Sequence, residues 1–102
     1  MNRVDLTGRI GNIEVKDLDN GNKLTNLSVA VDDSYFEKKA NEYVERTEWV
    51  KCVYNNETKF QIGDLVELSG KIKTRSFENK EGQKIYITEV VCRSIKLLHR
   101  KK

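Results

Sequence analysis

Apolar residues recur at every second position along most of this chain, and the breaks fall at Gly, Asn and Asp. Period two is the mark of a strand with one buried face, and it dominates here over helical spacing. The first predicted strand covers residues 2–15. In it Val4 and Leu6 alternate, Gly8 interrupts, Ile10 follows, and Ile13 and Val15 lie beyond Gly11. A glycine inside a strand commonly marks a bulge or sharp bend, which a long strand coiling round a small barrel needs. Residues 17–22 form a turn in which Asn20-Gly21 is the preferred hairpin pair, because both positions tolerate positive φ. In the second strand, 23–32, Leu27, Val29 and Val31 face one way and Ser28 and Ala30 the other. Residues 33–43 read as a polar loop, 44–54 as the third strand, and 55–63 as a connection with room for at most a helical turn. The fourth strand covers 64–77, a turn occupies 80–83, and the fifth covers 84–93, with Ile95, Leu97 and Leu98 continuing extended. Five strands joined by hairpin turns within 102 residues predict an all-β small barrel or sandwich with little or no helix.

The same alternation divides the last three strands into two faces each. In the fourth strand Val66, Leu68, Gly70 and Ile72 form the core face, so Lys71, Lys73 and Arg75 line the opposite face and end in Phe77. In the third strand Val50, Cys52 and Tyr54 make the better core face, which sets Trp49, Lys51 and Val53 outside. The 33–43 loop adds Tyr35 and Phe36, followed by Lys38 and Lys39. Adjacent aromatics are costly to leave in water unless they pack or bind. Phe36 is expected to tuck against the barrel and Tyr35 to stay open. A solvated face, an edge aromatic or a core tryptophan explains each feature taken singly. Aromatics interleaved with cations on one surface are what single-stranded nucleic acid requires, because every base offers a π-face whatever its identity.

Charge sharpens this picture. Nineteen basic and 16 acidic residues leave a net charge of only +3. Duplex readers usually carry a heavier, clustered basic excess, so stacking has to supply affinity that Coulomb attraction does not. No stretch approaches the roughly 20 apolar residues of a membrane span, and the amino terminus lacks the apolar run of a signal peptide, so a cytoplasmic location and no membrane contact are expected. Cys52 and Cys92, 40 positions apart without a C-x-x-C or a nearby histidine, read as buried free thiols. The single histidine is His99, and no paired-carboxylate, nucleophile or metal spacing stands out. An enzyme, a cofactor and a metal are therefore not expected. Glu48 and Glu89 read as salt-bridge or structural positions.

The sequence resembles the bacterial single-stranded DNA-binding protein family. The opening Asn2-Arg3-Val4-Asp5-Leu6-Thr7-Gly8-Arg9-Ile10-Gly11 is similar to that family's N-K-V-x-L-x-G-x-L-G, and Asn26–Val31, Glu45–Trp49, Gly70–Phe77 and Tyr86–Val91 follow in family order. The resemblance implies a five-stranded OB-fold Greek-key barrel with long hairpin loops over residues 1–98, followed by a basic end at 99–102. It implies sequence-independent binding of single-stranded DNA in replication, repair or recombination, and a homo-oligomer, with a tetramer favoured and a dimer possible. By position it implies stacking on Tyr35, Trp49 and Phe77, with Lys51, Lys73 and Arg75 on the DNA path and Arg3 beside them. The family's further aromatic falls near Tyr54 and Asn55, and the alternation puts Asn55 on the binding side, so that platform is expected to be lost. Val50 replaces a histidine usual at a subunit contact, the helix between the third and fourth strands is largely missing, and the acidic tail tip has no counterpart, so tail-mediated protein partners are not expected. Two rival readings share the fold: a dimeric primosomal accessory protein that bridges replication partners, and an RNA-binding OB protein.

Overall fold

Seven strands form in the computed structural model, which describes residues 1–101: β1 (Val4–Asp17), β2 (Lys23–Asp32), β3 (Tyr35–Glu37), β4 (Glu42–Val44), β5 (Thr47–Tyr54), β6 (Leu65–Glu78) and β7 (Lys84–His99). Five of them close into a barrel in the order β1-β2-β5-β7-β6. Neighbours are antiparallel except β5 and β7, which run parallel through Cys52↔Val90, Val53↔Val91 and Tyr54↔Cys92. This is the OB-fold arrangement. There is no helix among the described residues, and 55–63 crosses from β5 to β6 without one.

Closure depends on β1 serving two neighbours. Val4–Arg9 pair with β6, and Arg9–Asp17 pair with β2. The handover coincides with a register shift between Ile10 and Asn12, so the bulge falls at Gly11. The interior is filled by Ile10, Leu27, Val29, Val66, Leu68 and Val90 together with the thiols of Cys52 and Cys92. Each large aliphatic side chain buried there contributes roughly 1.5–3 kcal/mol relative to exposure. Contact with the Cys92 thiol, and burial, push the Cys52 thiol up, so it stays protonated as part of the packing.

Beyond Gly70, the last residue paired with β1, β6 keeps only β7 as a neighbour, and past Ile72↔Val90, where β7 has left β5, the ladder continues as a two-stranded arm to Glu78↔Lys84. Gly70 sits at the pivot, beside a second register shift, where a Cβ would run into the carbonyl of Val91. The arm corrects one expectation: Ile72 continues the alternation of Val66 and Leu68 but is 50% exposed, because past Gly70 no opposing wall remains to cover it. The free margin of β6 is clasped at one point. The Asn2 side chain donates from Nδ2 to the Ile72 carbonyl at 2.8 Å and accepts the Ile72 N–H at 3.0 Å, reproducing a strand partner with an amide.

The 33–43 segment also differs from its reading as a loop. It folds into a ribbon of β3 against β4, paired through Tyr35↔Val44, Phe36↔Tyr43 and Glu37↔Glu42, with Asn41 at positive φ near its tip. The ribbon extends from the end of the β2–β5 ladder and is tied to it by Asp33 N–H to Arg46 O at 2.8 Å and an Arg46–Asp33 ion pair at 2.8 Å. Phe36 does not tuck against the barrel. It is 54% exposed opposite Tyr43, because both strands of the ribbon stand outside the closed sheet.

Candidate nucleic-acid interface

A groove runs along the outer face of β5. Lys51, Val53 and Asn55 form its floor. One wall is the β1–β2 hairpin, with Asn12, Glu14, Lys16 and Asn26. The other is the arm, with Lys73, Arg75, Ile87 and Glu89. The alternation of each strand decides who enters. On β5, Trp49, Lys51 and Val53 share a face. On β6, Lys71, Lys73, Arg75 and Phe77 share the face whose cross-strand partners are Val91, Glu89, Ile87 and Ile85. Val53 departs from its expected outside position: it is buried in the floor, because the arm and Val91 cover it.

Trp49 lies at one end of this floor, two residues and roughly 7 Å along β5 from Lys51. Its indole is 60% exposed. The outer edge of its six-membered ring lies against Gly11 of β1, where an added Cβ would come within 2.6 Å of the indole Cη2. The bulge residue therefore leaves room for the edge of the ring, and most of the indole is open to solvent. Phe77, 44% exposed, lies two residues beyond Arg75 on the same side of the arm.

The cations are unevenly free. Arg75 donates from Nε to Glu89 Oε1 at 2.9 Å, and Glu89 is buried, so the guanidinium is fixed with its remaining donors unclaimed by any ion pair among the described residues. Lys16 lies 3.5 Å from Glu14. Lys51 and Lys73 have no ion-pair partner among the described residues. Lys71 sits at the root of the arm opposite Val91, outside the main groove. Arg3 is exposed at the start of β1 and forms an ion pair with Asp5 at 2.9 Å. The structure thus brings Trp49, Lys51, Lys73, Arg75 and Phe77 onto one concave side. Tyr35 stands apart on the ribbon and Arg3 apart at the β1 end. Sequence reasoning missed three contributors: Asn12 and Asn26 as wall residues, whose polar character reads as ordinary surface, and Gly11 as the residue that leaves room for the indole. The bulge signal at Gly11 was present, but not the ring edge beside it. No group of acidic, histidine or cysteine residues suited to a metal occurs among the described residues.

A closed five-stranded Greek-key barrel with an aromatic and basic groove across its strands belongs to the OB class of oligonucleotide- and oligosaccharide-binding folds. Comparison with known proteins narrows this. The profile of the single-strand binding protein family matches residues 1–98, and the chain belongs to that family. It is 33% identical over 101 residues to single-stranded DNA-binding protein B of Bacillus subtilis, covering 95% of this chain and 89% of that protein. It is 30% identical over 105 residues to the single-stranded DNA-binding protein of Oceanobacillus iheyensis, of whose length it spans 65%. Among solved structures, the Plasmodium falciparum SSB complex with ssDNA superposes with a TM-score of 0.83 at 23% identity, over 99% of this chain and 96% of that one.

Proposed function

We propose that this protein coats single-stranded DNA without reading its sequence, stacking bases on Trp49 and Phe77 while Lys51, Lys73 and Arg75 hold the phosphates. As a member of the single-strand binding protein family it is a non-enzymatic DNA-binding protein. The observation that carries the mechanism is the exposed indole of Trp49 at the end of a groove lined by those cations. In a duplex each base is already stacked and paired, so an isolated indole gains little there. Unpaired bases are free to lie on it, at about 1–3 kcal/mol per stacked base. Tyr35, on the ribbon beyond Trp49, extends the stacking surface. Arg3 and Lys71 add contacts at the edge of the path.

Protection of exposed strands in replication, repair or recombination, in the cytoplasm, is the setting this reading supports. No helix among the described residues is long and apolar enough to cross a membrane. The assembly in this reading is a homotetramer, in which Ile72 and Tyr86, open on the far face of the arm in one subunit, would be covered by a neighbour. Titration with oligo-dT is expected to quench Trp49 fluorescence, with weak binding to a matched duplex and to a matched RNA. Equal affinity for duplex and single strand would overturn the proposal. Preference for RNA would move the protein to the RNA-binding reading, because the 2′-hydroxyl is the discriminator.

A further inference from the structure

The barrel end next to Trp49 holds a second concentration of positive charge, outside the groove. Arg9, His99 and Lys101 surround Gly63 in a shallow pocket. The cluster is assembled by the turn that leads into β6. The Gly63 N–H donates to Ile10 O at 2.7 Å, and the Ile10 N–H donates to Asp64 O at 3.0 Å. Arg9 donates from Nη1 to the Gly63 carbonyl at 3.0 Å. Buried Asp64 accepts the Gln61 N–H at 2.9 Å and lies 3.4 Å from Arg100 Nη2, which anchors the basic carboxyl-terminal segment against the turn. The Lys101 side chain lies across Gly63, with its Cβ 3.2 Å from where a glycine-to-alanine Cβ would stand.

Neither Arg9 nor Lys101 forms an ion pair among the described residues. Arg100 is the member whose charge is matched, by Asp64. The guanidinium of Arg9 spends one of its five donors on Gly63. Position matters as much as charge. Arg9 and Gly11 are two residues apart on β1, roughly 7 Å, and Gly11 lies against the edge of the Trp49 indole. Successive phosphates of an extended strand are spaced on that same scale. A strand whose base lies on Trp49 therefore meets this cluster as it leaves the groove.

We propose that Arg9 and Lys101, with His99 beside them, form a separate phosphate-binding site at the barrel end, one that takes the DNA backbone beyond Trp49 by charge alone. The inference rests on the groove reading above, and the two fail separately. The test is the double variant R9Q/K101Q, with K59Q/K96Q, two exposed lysines outside the groove, as a control of equal charge change. Each phosphate contact on a single strand contributes about 0.7 to the slope of log K against log salt. The expected result is a slope shallower by about 1.4 in R9Q/K101Q, with no change in K59Q/K96Q and with full quenching of Trp49 at saturation in both. An unchanged slope in R9Q/K101Q, or an equal change in the control, overturns the site. A second measurement does not use stacking: an abasic deoxyribose-phosphate oligomer should shift the amide resonances of Gly63 and Lys101 in the wild-type protein and not in R9Q/K101Q. No shift in the wild type overturns the site even if oligo-dT binds. Shifts without any quenching by oligo-dT would overturn the groove reading and leave this site standing.

Discussion

Trp49 is flanked by a glycine and exposed by a strand alternation, and both conditions can be tested at single positions. Trp49→Ala should weaken oligo-dT binding by about 1–3 kcal/mol, roughly 5- to 150-fold, while leaving the barrel folded, since the indole is mostly outside it. Gly11→Val should displace the ring edge. A red-shifted emission and weaker dT binding are expected, with the far-ultraviolet strand signal retained. Unchanged emission would show that the indole does not lie against β1. Asp64 offers a test of stability. The Gln61 N–H, and after it the Arg100 guanidinium and the Lys101 N–H, hold its carboxyl below the ordinary value of 3.8 in spite of burial. The folded value lies below the unfolded one, so the stabilisation is complete above about pH 4 and disappears as pH falls through the folded value. Asp64→Asn should therefore lower the urea midpoint at pH 7 and flatten its fall between pH 5 and pH 2, whereas an unaltered acid limb would show that Asp64 contributes nothing to it.

At the scale of elements, the arm differs physically from the barrel it grows from. From Lys71 to Glu78 every residue of β6 is exposed, and one partner strand holds it. Two-stranded ribbons have little apolar burial to oppose local opening. Backbone amides of residues 73–78 and 84–88 should thus exchange with solvent well before those of Leu27, Val29, Val66 and Leu68, and equal protection in free protein would mean that another subunit covers the arm. The arm also shows where the sequence is legible and where it stops. Alternation placed Lys71, Lys73, Arg75 and Phe77 on one face correctly, because period two survives wherever a strand is straight. It could not say that the wall opposite Ile72 ends at Gly70, since burial depends on how many strands surround a position. Val53 is the converse case: its face was read correctly, but the arm that covers it comes from distant residues. The β3–β4 ribbon was hidden for a third reason. Its three-residue strands are too short for periodicity, and Phe36 pairs with Tyr43 across the ribbon, not with the core.

For the molecule as a whole, a net charge of +3 spread over 19 cations and 16 anions leaves affinity dependent on placement. Lys51 and Lys73 in the groove and Arg9 and Lys101 at the barrel end have no ion-pair partner among the described residues, whereas Lys16, Arg75 and Arg100 face Glu14, Glu89 and Asp64. In solution, the tetramer proposed here should appear as four copies of the 11.9 kDa chain by light scattering, and Ile72→Glu on the open face of the arm should reduce it to smaller species. A monomer in the wild type would remove the assembly while leaving the groove intact. A stable dimer would leave both the single-stranded DNA-binding and the primosomal reading open.

Because each protomer carries a single tryptophan, its fluorescence reports one place on the surface and no other. Emission loss during a titration then tallies occupied protomers and not nucleotides covered. A plateau reached with short oligomers should stay at the same depth with long ones, however much additional strand those carry across the surface.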